Sequence, residues 1–370
     1  MKKTTVTRTS LPPFEEFCEQ IRPLWDSRIL TNMGAQHEAF RDALEQCLEV
    51  PHAVPFTNGH LALEAALRAL RLPEGAEVVT TPFTFVSTVH AIVRCGFTPV
   101  FCDVLEADGT LDPAQLEALL TERTAAILPV HVYGNVCEVE RIGAIAARHG
   151  LKVLYDAAHA FGVRLHGEGV ARFGDASVFS FHATKVFSTV EGGAVCTADG
   201  SLLQALEDEK NFGIRDEEHC AAVGGNAKLS ELQAAMGLCN LRHLEEEIGL
   251  RRACAAHYAA RLTGRPELRI LSPRPGVEGN GAYLPVVFGT QALRDAAYSR
   301  LAAADIFARK YFYPLVPDLE CYAGTPFAAA ARVPVARSLA ARVLCLPLYV
   351  GLPADEVDRI CDIVLTAARS

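Results

Sequence analysis

One lysine stands out by its setting. Lys185 closes the run Ser180-Phe181-His182-Ala183-Thr184-Lys185, and Glu191-Gly192-Gly193 follows shortly after. The apolar stretch 175–181 reads as a strand that runs into this polar turn, with a further strand at 193–197. A lysine forms Schiff bases well only when its surroundings lower its pKa, and a rigid strand end suits that purpose. Lys185 is therefore a candidate reactive amine, although a lone lysine in a loop is more commonly a solvated charge.

Three other places could do chemistry beside it. Asp156 ends the apolar run Leu151-Lys152-Val153-Leu154-Tyr155-Asp156, ahead of Ala157-Ala158-His159. A carboxylate there could ligate a metal, cap a helix or pair with a cationic ring nitrogen. A metal would require further carboxylates or histidines in array, and only His159 is near in sequence. Asn58-Gly59-His60 turns into a helix marked by Leu63, Leu67 and Leu70. The free N–H groups and the dipole at such a start suit a phosphate, as they suit an ordinary N-cap turn. Phe85 opens a helical stretch, 85–95, and offers a flat ring.

The elements that must position these residues alternate. Strands at 77–81, 99–103, 125–132 and 151–156 are separated by helices at 85–95, 112–122 (capped by Asp112) and 139–149. Near-continuous apolar strands in β-α-β order imply a mostly parallel sheet covered on both faces. Ligands of such sheets lie beyond the carboxyl ends of the strands, which gathers 83–85, 131–134, 156–159 and 180–185 at one rim. Helices before residue 50 precede this α/β unit. A long helical system, 228–261, leads out of it to a strand at 283–288 and helices at 293–303 and 354–367. The expected organisation is a large α/β domain, 1–245, with N-terminal helices, and a smaller C-terminal α+β domain, 246–370.

Composition narrows the function classes. The 370 residues are 50% hydrophobic and carry a formal net charge of -9, which argues against nucleic acid or an anionic membrane as the partner. The opening Met1-Lys2-Lys3 leads into polar residues, and nothing later approaches the roughly 20 apolar residues of a membrane span. The expected location is cytoplasmic. Twelve cysteines are scattered without a C-x-x-C pair and read as small buried hydrophobes, with no metal expected.

Pyridoxal 5'-phosphate (PLP) chemistry requires a Schiff-base lysine, an acid for the pyridine nitrogen, an anion cradle and a flat group against the ring. Lys185, Asp156, the Gly59-His60 helix start with Ser180, and Phe85 meet those requirements at one expected rim. The same residues carry a family resemblance. Thr57-Asn58-Gly59-His60, Pro82-Phe83-Thr84-Phe85-Val86-Ser87-Thr88, Asp156-Ala157-Ala158-His159-Ala160, Ser180 to Lys185 with Glu191-Gly192-Gly193, and Asn226-Ala227-Lys228-Leu229-Ser230-Glu231 resemble the DegT/StrS sugar aminotransferases. The resemblance spans about 11–365.

It implies the aspartate-aminotransferase-like fold (PLP fold type I) and PLP as cofactor. Lys185 would hold PLP, Asp156 would pair with its ring nitrogen, Phe85 would stack on the ring, and His159 would stand near the phenolic oxygen. Gly59, His60 and Ser180 would bind the phosphate, with Asn226 reaching it from the neighbouring subunit of a homodimer with a shared site. L-glutamate would donate the amino group to a nucleotide-linked keto sugar. The spelling Ser-Phe-His-Ala-Thr-Lys resembles the branch that aminates C4 of dTDP-4-keto-6-deoxyglucose more than the C3 branch. Met33, Ala35 and Gly225 depart from the common pattern and bear on sugar contacts. Lys228, Arg215, Tyr311 and Tyr313 are the candidate substrate residues. The rival expectations are a C3 or a UDP- or GDP-sugar aminotransferase, a sugar dehydratase, which would carry histidine in place of Lys185, and a PLP-binding regulatory protein without turnover.

Overall fold

A computed structural model describes residues 3–368; Met1, Lys2, Arg369 and Ser370, at the outer ends of the two expected domains, lie outside the described residues. Seven strands form the central sheet: β1 (His52–Phe56), β2 (Glu77–Thr80), β3 (Thr98–Phe101), β4 (Thr124–Leu128), β5 (Lys152–Asp156), β6 (Ala176–Ser180) and β7 (Gly193–Thr197). They lie side by side in the order β1-β7-β6-β5-β4-β2-β3. β2 to β6 pair in parallel, and β7 runs antiparallel to both β6 and β1.

Alternation along each strand sends side chains into two cores. Val79, Ile127, Val153, Phe179 and Cys196 pack on one face under helices α1 (Ala35–Leu48) and, further along the chain, Val139–His149. Val78, Leu128, Leu154, Val178 and Val195 pack on the other under α2 (Gly59–Ala69) and α3 (Val86–Arg94). Burial on both faces explains why these strands read as unbroken apolar runs. The helix over Val139–His149, hereafter α4, has the expected bounds; α5 (Gly200–Lys210) completes the second layer.

Local chemistry trims two expected elements. The strand expected over 125–132 stops at Leu128, because Pro129 has no N–H to give the ladder. In place of a helix over 112–122 there is a 3-10 turn, Pro113–Gln115, followed by a single α-turn, Leu116–Leu119. Asp112 does cap it, accepting from Ala114 N–H at 2.9 Å.

Helix α6 (Glu231–Leu262) starts in a capping box between Ser230 and Gln233 and runs unbroken through residue 246. It packs on α1 at one end and on the last helix of the chain at the other. Beyond it, β8 (Leu268–Ile270), β9 (Leu284–Phe288) and β10 (Val343–Leu346) form an antiparallel sheet with helices α7 (Gln291–Ala303), α8 (Pro334–Arg342) and α9 (Ala354–Ala368). The fold is the expected mostly parallel α/β sheet followed by a smaller α+β unit. Among the described residues, no helix is long and apolar enough to cross a membrane and no cluster of ligands could hold a metal ion.

Candidate active site

Strand register brings the rim together. Ser180 at the end of β6 pairs with Gly193 at the start of β7, and Gly193 pairs with Phe56 at the end of β1. The start of α2 therefore falls against Ser180. A Cβ on Gly59 would stand 2.8 Å from Ser180 Cβ, and one on Gly193 would stand 2.7 Å from Gly59 N, so both positions require glycine. Asn58 caps α2 by accepting from Leu61 N–H at 2.9 Å. The remaining free N–H groups of that first turn lie beside the Ser180 hydroxyl, an arrangement suited to an anion.

Asp156, at the carboxyl end of β5, is buried. Its Oδ2 accepts from Thr88 Oγ1 at 2.7 Å and its Oδ1 from Ala158 N–H at 3.1 Å. Burial pushes its pKa up, against weaker opposite pulls from Thr88, Ala158 N–H and Lys185. Each oxygen keeps lone-pair capacity for one more donor. Thr88 was not singled out from the sequence as a site residue. The signal was present, since Thr88 lies one helical turn beyond Phe85 and so shares its side of the helix start.

Lys185 sits in the turn after β6. Burial lowers its pKa to about 8, with Asp156 pulling the other way. Ala158, His159, Phe161, Thr184, Asn280, Ala282 and Tyr283 surround it in a small pocket. His159 is held neutral, its pKa driven well below the usual value first by burial and then by Lys185. Its Nδ1 accepts from Tyr133 N–H at 3.1 Å, which leaves the ring proton on Nε2. Asn280 is buried and donates to the carbonyls of His159 and Phe161 at 3.0 and 2.9 Å. Asn280 and Tyr283 belong to the chain just before β9, over 90 residues from the lysine, and no local pattern marked them.

Phe85 caps α3 with its ring 56% exposed. It borders an open cavity of about 810 Å³ together with Thr84, His90, Lys310, Tyr311 and Tyr313. Tyr311 and Tyr313 are thus brought to the Phe85 side. Asn226, Lys228 and Arg215 line neither this cavity nor the Lys185 pocket. Lys228 Nζ donates to Asn226 Oδ1 and Asn211 Oδ1 at 2.8 and 3.0 Å and lies over the Phe212 ring. Arg215 is paired with Asp208 at 2.8 Å.

Comparison with known proteins gives this geometry a context. Residues 14–365 match the DegT/DnrJ/EryC1/StrS aminotransferase family. The chain belongs to that family. As a DegT-family member it is a PLP-dependent sugar aminotransferase. It is 38% identical over 361 residues to a dTDP-4-amino-4,6-dideoxy-D-glucose transaminase of Shigella dysenteriae, covering 97% of both chains. It is 40% identical over 370 residues to an Escherichia coli enzyme of the same name, covering 98% of each. Among solved structures it superposes on DesI, crystallised with its TDP-sugar product, with a TM-score of 0.93 and 34% identity over 100% of this chain and 94% of that one.

The DegT-family cofactor suits the residues present. The glycine cradle is a space that a Cβ would fill, the buried Asp156 has room for a further N–H donor, and Lys185 has an amine made reactive by burial. A phosphate, a protonated ring nitrogen and an aldehyde each find a matching group at one rim.

Proposed function

We propose that this enzyme moves an amino group from L-glutamate to C4 of a nucleotide-linked 4-keto-6-deoxy sugar, with dTDP-4-keto-6-deoxyglucose as acceptor, in amino-sugar biosynthesis. The observation that carries the reading is near full-length similarity, at 38% and 40% identity, to two enzymes named for that 4-amino sugar. Similarity at 36% to a UDP-N-acetyl-3-dehydro-alpha-D-glucosamine 3-aminotransferase and at 31% to a GDP-perosamine synthase supports the second reading, amination at C3 or of a UDP- or GDP-linked sugar.

Bound PLP supplies an electron sink and a carrier for the amino group. In our reading Lys185 Nζ would hold the cofactor, and as a neutral amine it would take the proton from the donor's Cα in the first half-reaction and deliver one to the sugar carbon in the second. Asp156 holds a proton on the ring nitrogen, and Thr88 with the Ala158 N–H keeps the carboxylate aimed. Neutral His159 would stand beside the phenolic oxygen, Phe85 would cover the ring, and Gly59, His60 and Ser180 would take the phosphate. Tyr311 and Tyr313 contact the sugar nucleotide.

We assign Asn226, Lys228 and Arg215 to the neighbouring subunit's site in a homodimer. Their segment exposes Phe212, Ile214 and Val223, apolar surface that a second copy would cover. The twelve free cysteines support a reducing, cytoplasmic setting. Incubation with L-glutamate and a panel of dTDP-, UDP- and GDP-linked 3-keto and 4-keto sugars, read by mass and NMR, tests the acceptor. Amination confined to C3 would refute the C4 assignment. Mixing Lys185→Ala with an Asn226→Ala, Lys228→Ala variant tests the shared site, since mixed dimers should regain activity that neither parent has.

A further inference from the structure

His60 is the first side chain inside α2 after Gly59, and both of its ring nitrogens are engaged. Nδ1 lies 2.8 Å from Ser87 Oγ, and Nε2 lies 3.0 Å from Glu64 Oε1. Glu64, one turn along α2, is only 6% exposed, although Arg94 Nε donates to it and Arg68 Nη2 stands 3.7 Å away. The carboxylate keeps the imidazole proton on Nε2, so that Nδ1 accepts the Ser87 hydroxyl. With both nitrogens committed, the imidazole has no donor left for a phosphate. What His60 offers the cradle is its backbone N–H.

Ser87 belongs to the first turn of α3, and that turn reaches the site three times. Phe85 presents its ring at the cap, Ser87 meets His60, and Thr88 donates to Asp156. The anion cradle, the ring face and the acid are thereby tied through one helical turn.

We propose that Glu64 and Ser87 are positioning residues which, with His60 between them, clasp the start of α2 to the start of α3 and aim the cradle's N–H groups at the cofactor phosphate. The proposal rests on Gly59, His60 and Ser180 forming the phosphate cradle. Its test uses the apoenzyme variants Ser87→Ala, Glu64→Gln and His60→Ala. Each is titrated with PLP and, separately, with pyridoxal, which lacks the phosphate, and bound cofactor is read by absorbance.

PLP affinity should fall about three- to tenfold in each variant, the worth of one hydrogen bond, while pyridoxal affinity stays within about twofold. The PLP-to-pyridoxal ratio therefore drops. Adding Ser87→Ala to His60→Ala should lower it no further, because the two side chains act through one contact. A ratio equal to the wild type's overturns the clasp, whether neither affinity changes or both fall together. Glu64→Gln leaves Arg94 without its charge partner and Arg68 with Glu209 alone; if it melts early, Ser87→Ala, which removes a single hydroxyl, decides the matter. A wild-type enzyme that prefers PLP over pyridoxal by nothing would instead sink the cradle assignment and leave PLP binding itself intact.

Discussion

The Lys185 pocket and the cavity beside Phe85 meet at Phe312, which stacks on His159 on one side and lines the cavity on the other. They are built on opposite rules. Around Lys185 the ionisable groups are withdrawn from water, and burial moves all of them toward neutrality: Lys185 down to about 8, Asp156 up, His159 well down. Around the cavity, burial still lowers the pKa of His90, but the flexible cation Lys310 stays near water and is restrained by its neighbours. Lys310 is held by Asp295 at 2.5 Å and lies over Tyr298, while Tyr313 rests on the buried guanidinium of Arg294. Proton transfer gains from desolvated groups whose pKa values approach working pH. Recognition of a large polar ligand gains from exposed groups already held in place. One rim serves both because the sheet buries its strand ends while the loops beyond them remain open.

Removing the amine should separate the two regions most sharply. Lys185→Ala is expected to lower turnover at least about 10³-fold while leaving sugar-nucleotide affinity within about twofold, read by steady-state kinetics and calorimetry. Asp156→Asn should follow, with a loss on the order of 10²-fold in kcat and little change in KM. Thr88→Val tests whether the pocket's acid depends on its donor. Losing the 2.7 Å hydrogen bond to a buried carboxylate should destabilise the apoenzyme by about 1–3 kcal/mol in urea unfolding.

The pH dependence tests desolvation directly. The neutral amine is the reactive form, and a lowered pKa means more of it at any given pH. PLP capture by the apoenzyme should therefore rise as pH rises through about 8 and run about tenfold slower at pH 7 than on the plateau. A midpoint near the ordinary lysine value would show that burial does not act on Lys185. On the cavity side the effects should be smaller and appear in KM. Tyr313→Ala should raise KM for the sugar nucleotide about threefold to tenfold without changing PLP uptake. Away from the cavity, Arg215→Ala, which removes the half-exposed partner of the buried Asp208, should change KM by about threefold at most.

How far the chain could be read without coordinates differs by residue. The rim positions of Lys185, Asp156, Gly59 and Ser180 were legible because strand ends and helix starts announce themselves through local composition, and a parallel sheet sends its strand ends to one rim. Val139–His149 was legible to the residue, as its apolar spacing ends at Gly150 in the left-handed conformation. The helix expected over 112–122 was not, since Pro113 and a single apolar turn carry too little periodicity. Glu64 was invisible for another reason: at i+4 from His60 it reads as an ordinary surface pair, yet it is buried.

The sequence by itself determined the alternation of strands and helices, the chemical kind of each rim group and the family, because these depend on residues close together in the chain. Only the tertiary structure decided which groups meet. The register of β6, β7 and β1 sets Gly59 against Ser180, and Thr88 reaches Asp156 across 68 residues. Asn280 and Tyr283 arrive over Lys185 from beyond α6. The physical reason is that pKa, close approach and hydrogen-bond partner depend on distance and burial, and both are set by packing between elements far apart in sequence.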